Sequence, residues 1–238
     1  LLTAAEVGQI AFDVLSPTQR ETFKKDLEID LSIAIEGAGR FRVNVYKQRQ
    51  QISVALRSIP SKTPSIQSLG LPPVIQKIAN EERGLVLLTG VTGSGKSTTL
   101  AAIVEEINAS RSKHIITIED PIEFNFTDKQ SLISQREIGS DSHSFSNALR
   151  SALRQDPDVI LVSEIRDKET MEIALSAAET GHLVLASLHS LNAAEAVVRM
   201  VDFFDVDHQQ AIRHQLCGSL KSIVSQRLVP LKDTGRIA

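Results

Sequence analysis

An apolar run, Leu85-Val-Leu-Leu88, passes into Gly90-Val-Thr-Gly-Ser-Gly-Lys-Ser97 and then into a stretch with Leu100, Ile103, Val104 and Ile107 at helical spacing. A buried strand, a glycine-rich loop and an amphipathic helix in that order leave few folds open. The glycines at 90, 93 and 95 let the backbone turn tightly and aim successive N–H groups at one point, where the helix adds its dipole. That arrangement suits a chain of phosphates. Thr92, Gly93, Ser94, Gly95, Lys96, Ser97 and Thr98 are the nucleotide-binding candidates, with Lys96 neutralising β- and γ-phosphate oxygens and Ser97 a ligand for Mg²⁺. ATP and Mg²⁺ are the expected cofactors.

Beyond the loop, apolar runs at 85–88, 114–118, 159–162 and 183–187 alternate with helical patterns, which predicts an α/β unit with a mainly parallel, buried sheet. The first quarter reads differently. Val7, Ile10, Ala11 and Val14 have helical spacing, and Ser16-Pro17 signals the start of a second helix. Three alternating runs follow (Leu31, Ile33, Ile35; Phe41, Val43, Val45; Ile52, Val54, Leu56), with Gly37-Ala-Gly39 as a hairpin turn. They predict a small antiparallel sheet with one apolar and one polar face, in an α+β unit. Prolines 60 and 64 with small polar residues between them mark a short connection. The expected division is residues 1–59, a linker at 60–65, and 66–238. With 238 residues, 42% of them hydrophobic, the chain has enough apolar surface for two such cores.

Charge and cysteine content exclude several classes. A net charge of −3 provides no bulk basic field, so nucleic acid is not an expected partner. A single cysteine, Cys217, builds neither a disulfide framework nor a four-thiolate zinc site and suits a reducing, cytoplasmic setting. No apolar run approaches the roughly 20 residues of a membrane helix, so any membrane association is expected to be peripheral. The start at Leu1, and the stop at Ala238 just after the polar turn Lys232-Asp-Thr-Gly235, make a trimmed chain the expectation.

Phosphate chemistry also needs carboxylates at the carboxyl ends of strands beside the loop. Two acidic segments lie at such ends: Ile118-Glu119-Asp120-Pro121-Ile122-Glu123-Phe124, and the run Val159 to Val162 followed by Ser163-Glu164. Glu119, Glu123 and Glu164 are the candidates, Glu119 and Glu164 toward the metal and Glu123 and Glu164 toward the attacking water. Ser163 occupies the place where many proteins with this loop put a metal-ligating Asp. Asp158 precedes its strand, lies at the far end and is expected to be structural.

These segments, with Ala152-Leu-Arg-Gln-Asp-Pro-Asp158, Ala178-Glu-Thr-Gly-His182 and Leu188-His189, resemble the secretion ATPase superfamily, and together the PilT type, the type IV pilus retraction motors. The resemblance implies a RecA-like P-loop NTPase core under a smaller, here truncated, PAS-like N-terminal domain, with the C-terminal end of the core also missing. It further implies a homohexamer that hydrolyses ATP to drive pilus retraction and twitching motility, working at an inner-membrane platform protein. Glu123 and Glu164 become the catalytic carboxylates, with the identity of the base left open. His182 and His189 fall at the two ends of one strand, so that one imidazole could sense the γ-phosphate while the other contacts a neighbouring subunit. Of the N-domain arginines that close over nucleotide in this family, Arg57 is the first candidate and Arg42 and Arg49 are the others. If those contacts bridge the two domains, the connection at 59–64 acts as a hinge between them. Two residues depart from the retraction pattern: Val91 stands for Pro, and Ser163 for Gly. A tetracysteine module, carried by assembly and type II secretion ATPases, is excluded. Thr170-Met171-Glu172 also resembles the PilU paralogue, so the choice between paralogues stays open, with a type IV secretion traffic ATPase or a non-hydrolysing ring subunit as the rival readings.

Overall fold

Two compact units, residues 1–62 and 63–238, make up the chain, and the computed structural model describes residues 2–60, 62–230 and 236–238. Ser61, within the expected linker, and the polar turn expected at 232–235 lie outside the described residues.

The first unit opens with α1 (Ala4–Val14) and α2 (Pro17–Asp26), each started by a capping box: Thr3 with Glu6, and Ser16 with Gln19, the latter followed by Pro17 at the first helical position. Strands β1 (Glu28–Ile35), β2 (Gly39–Gln48) and β3 (Gln51–Ile59) then pair antiparallel in the order β1-β2-β3. Leu31, Val43 and Val45 pack with Ala11, Leu15 and Phe23 in a small core. The apolar face is narrower than the alternation predicts. Ile35 and Leu56, at 44% and 52% exposure, lie outside that core.

The second unit begins with α3 (Pro73–Ala79) and β4 (Gly84–Thr89), the latter wholly buried. Then follow α4 (Lys96–Ser110), β5 (His114–Glu119), β6 (Leu132–Glu137), α5 (Phe145–Ala152), β7 (Val159–Val162), α6 (Lys168–Glu179), β8 (Leu183–Leu188), α7 (Ala193–Asp202), α8 (Val206–Ser219) and β9 (Leu220–Ser225). Among the described residues a two-residue pair, β10 (Val229–Pro230) with β11 (Arg236–Ile237), completes the unit.

The large sheet runs β6-β5-β7-β8-β4-β9, every pair parallel. Its four interior strands are those the apolar runs predict. Edge strands β6 and β9 escaped prediction because an edge is half solvated and its side chains need not be continuously apolar: Leu132-Ile-Ser-Gln-Arg-Glu and Leu220-Lys-Ser-Ile-Val-Ser mix both kinds. Helices cover both faces, and two cores result. On one side Leu85, Leu87, Ile116, Ile160 and Val184 pack against α5, α6, α7 and α8; on the other Val86, Leu88, Ile115, Leu161 and Leu185 pack against α3 and α4.

Parallel pairing gathers the carboxyl ends of β4, β5, β7 and β8 on one edge, so the loop after Thr89 shares its end of the sheet with the exits of Glu119, Glu164 and His189. The helix that receives the loop is anchored by Leu100, Ile103, Val104 and Ile107, all buried. Ile103→Ala should therefore lower unfolding stability by about 2–5 kcal/mol, read from denaturant titration.

Candidate active site

Thr89 ends β4 held on both its polar groups. Its hydroxyl shares a 2.9 Å hydrogen bond with the Ser225 hydroxyl, and its carbonyl accepts from the Gln226 N–H at 2.8 Å. The chain then turns through Gly90 and reaches α4 at Gly95, whose φ of +88° and tight packing both require glycine. A Cβ at Gly95 would sit 2.8 Å from the Gln226 amide nitrogen, and one at Gly90 would sit 2.4 Å from the Gln226 carbonyl oxygen.

Inside this loop the Lys96 ammonium donates to the carbonyls of Gly90 (2.9 Å) and Val91 (3.2 Å). Burial pushes its pKa down, and the charges of Glu164 and Glu123 act in the opposite direction. The Ser94 hydroxyl is buried without a hydrogen-bond partner. An orphaned donor in a loop built of backbone N–H groups suits an anionic oxygen. Ser97 and Thr98 lie half-buried in the first turn of α4, and Thr92 and Gly93 are exposed on the lip. A cavity of about 340 Å³ opens beside the lip, lined by Gly90 to Ser94, Leu191, Arg227 and Leu228.

Glu164 leaves β7 between an arginine and a histidine. Its Oε2 accepts from Arg166 Nε at 2.8 Å and its Oε1 lies 3.0 Å from His189 Nε2. Arg166 bonds onward to Asp120 Oδ2 at 3.1 Å, and its guanidinium lies 5.9 Å from the centre of the Phe145 ring. Arg199 fixes the other end of the chain of contacts by donating to the His189 carbonyl at 2.5 Å. Ser163 is held by its backbone, its N–H on Ile118 and its carbonyl accepting from the Ser187 hydroxyl.

Glu119 departs from the metal-side role expected of it. It is buried, and its oxygens accept from Thr117 Oγ1 (2.7 Å), Gln135 Nε2 (3.2 Å) and the Glu123 N–H (3.3 Å). Burial pushes its pKa up, against the effect of these donors. The carboxyl is turned into the base of the loop and supports Glu123, which stands exposed above it. Gln135 and Glu137, on β6, pin the same loop through the Phe126 and Ile122 N–H groups.

His182 and His189 part company. A strand of six residues separates them, about 20 Å. His189 is at the carboxyl edge with Glu164. His182 is at the opposite edge, 3.0 Å from the Ala177 carbonyl, away from the loop of its own chain. Asp158 is at that far edge too, accepting from the His114 N–H and pairing with Lys113. Arg42 and Arg57 are direct cross-strand neighbours in the first unit, and Arg49 occupies the turn between β2 and β3 with φ of +49°.

The sequence reading passed over Arg166 and Gln226. Arg166 lies two residues after Glu164, the spacing that puts side chains of an extended segment on one side, so alternation could have found it. Nothing local marks Gln226.

A parallel sheet flanked by helices, with this loop at the end of an interior strand and an acidic residue at the end of another, defines a RecA-like P-loop nucleoside triphosphatase. The chain belongs to the type II/IV secretion system protein family, whose profile matches residues 8–236. It is 46% identical over 233 residues to the type IV pilus retractation ATPase PilT of Pseudomonas aeruginosa, covering 98% of this chain and 68% of that one. It is 48% identical over 238 residues to a twitching motility protein of Neisseria gonorrhoeae, covering 100% of this chain and 64% of the relative. A crystal structure of the pilus retraction motor PilT with bound ADP superposes with a TM-score of 0.94 at 47% identity, over 97% of this chain and 67% of that one. The chain thus spans about two thirds of the length of these relatives.

Arg166 is the group whose loss tests the geometry around Glu164. Arg166→Ala should reduce kcat for ATP hydrolysis by about ten- to a hundredfold, the worth of a hydrogen bond to a charged group, with a much smaller change in KM. Steady-state kinetics at saturating and limiting ATP measure both.

Proposed function

We propose that this chain is the ATP-hydrolysing part of a ring motor that retracts type IV pili. One observation carries the reading: Glu164, oriented by Arg166 and His189, leaves β7 at the same edge of the parallel sheet at which β4 passes into the G-x-x-x-x-G-K-S loop with Lys96. The likeness to PilT along nearly the whole chain gives that site its biological setting.

In this reading the loop from Thr92 to Thr98 holds the phosphates through its N–H groups, and Lys96 leaves the loop carbonyls to neutralise the terminal phosphate oxygens. The donor set near the loop consists of hard oxygens, the Ser97 hydroxyl and the Glu164 carboxylate, which fits Mg²⁺. Ser97 and Glu164 would hold the ion, which would supply positive charge to the phosphates when bound. Glu164 takes the proton of the attacking water, and His189, in contact with it, reports the state of the γ-phosphate. Glu123 orients the water from the loop after β5. His182, directed away from its own loop, is assigned to a neighbouring subunit, and Arg57 or Arg42 supplies further positive charge to the phosphates.

The assembly proposed is a homohexamer working on the cytoplasmic side, docked peripherally on the inner-membrane platform protein of the pilus machine. Among the described residues no helix is long and apolar enough to cross a membrane.

Glu164→Gln should largely retain ATP binding while turnover falls by about a hundredfold or more, because proton acceptance is removed while an oxygen donor stays in place. Lys96→Ala should weaken both, because phosphate charge is left unpaired. Turnover measured against protein concentration, with oligomer size followed in parallel, should rise cooperatively as rings form. A Glu164→Gln protein with undiminished turnover would refute the assignment of the base, and if Glu123→Gln were the inactive one, the role would pass to Glu123. Tight nucleotide binding without turnover in a formed ring would make the chain a structural subunit.

A further inference from the structure

The loop that receives phosphate is braced from behind by a residue 127 positions away from Thr99 in the chain. Gln226 follows β9, the edge strand beside β4, and is only 7% exposed. Each of its polar atoms faces the loop or the elements the loop joins. Its N–H donates to the Thr89 carbonyl at 2.8 Å, just before the loop begins. Its side-chain Oε1 accepts from the Thr99 hydroxyl at 2.8 Å, in the first turn of α4 just after the loop ends. Its carbonyl oxygen lies so close to Gly90 that a Cβ has no room there, and its side-chain nitrogen stands 2.8 Å from where a Cβ on Gly95 would sit.

We propose that Gln226 is a positioning residue for nucleotide: it clamps the two ends of the phosphate loop to β9, so that nucleotide affinity depends on this edge strand as well as on the loop motif itself. The inference rests on the nucleotide-binding reading of the site and extends it to a segment outside the motif.

The choice of side chain follows from the surroundings. The position must accept a hydrogen bond from a buried hydroxyl, lie flat against a glycine backbone, and carry no charge beside a loop that receives phosphate. Glutamine meets all three requirements. Asparagine is one methylene shorter, glutamate places a negative charge behind the loop, and leucine leaves the Thr99 hydroxyl buried without an acceptor. The loop's N–H groups must converge before nucleotide arrives for binding to be strong. A brace that joins both loop ends to a sheet strand performs that preorganisation.

The test measures ADP affinity by titration, and KM and kcat for ATP, in the unaltered chain and in Gln226→Leu, Thr99→Val, Thr99→Ser and the Gln226→Leu/Thr99→Val pair. Gln226→Leu should weaken ADP binding and raise KM by about tenfold, with the loss falling on KM rather than on kcat at saturation. Thr99→Ser, which keeps the hydroxyl, should bind close to the unaltered chain. Thr99→Val should weaken binding, and the double variant should lose little more than either single one, because both remove the same contact. A folded Gln226→Leu protein with unchanged ADP affinity, or single effects that simply add, would overturn the inference. If Gln226→Leu does not fold, the decision passes to Thr99→Val against Thr99→Ser, where equal affinities would overturn it. Should the unaltered chain fail to bind ADP, the nucleotide reading falls and this inference with it; normal binding there with no effect of the variants removes the inference alone.

Discussion

The position of β4 between β8 and β9 is the constraint from which the site follows. A parallel sheet directs all its strand exits to one edge, and a strand with a partner on either side has neighbours at both sides of its exit loop. Beyond β8, through β7, come Glu164 and its contacts to Arg166 and His189. On the β9 side comes Gln226, against the glycines of the loop. The motif therefore sits between a chemical side and a bracing side, and neither is adjacent to it in sequence.

Charge compensation explains why the site is arranged as a chain of contacts. A buried ammonium such as Lys96 is costly unless acceptors and opposite charges surround it, and here the carbonyls of Gly90 and Val91 and the more distant charges of Glu164 and Glu123 do so. Glu164 in turn needs Arg166 and His189, and Arg166 also draws on Asp120. Glu164 is consequently held on both carboxylate oxygens.

Much of this could be read in the sequence. The four interior strands, the two opening helices and the antiparallel sheet all have local signatures, in the continuous apolar runs, the Ser16-Pro17 cap and the period-two alternation. The placement of Lys96 and Ser97 at the start of a helix and of Glu164 just after a buried strand was likewise legible, because the loop motif and the strand exits are local patterns. Edge strands β6 and β9 were not, since half-solvated strands carry mixed residues. The direction of Glu119 was not legible either: at the last position of β5 it is buried and accepts from Thr117 and Gln135, a partner on the neighbouring strand that only sheet pairing supplies. The two histidines were legible as the two ends of one strand, and β8 holds them at opposite edges of the sheet.

By itself the sequence determined the kind of chemistry and the elements that carry it: a strand, a phosphate loop and a helix, followed by acidic strand exits. Those are properties of short segments, set by periodicity, glycine geometry and charge. Tertiary structure decided which side chains share the site. Strand order brought Gln226 to the back of the loop and His189 to Glu164, because contacts between segments far apart in the chain depend on which strands pair, and no local pattern encodes that.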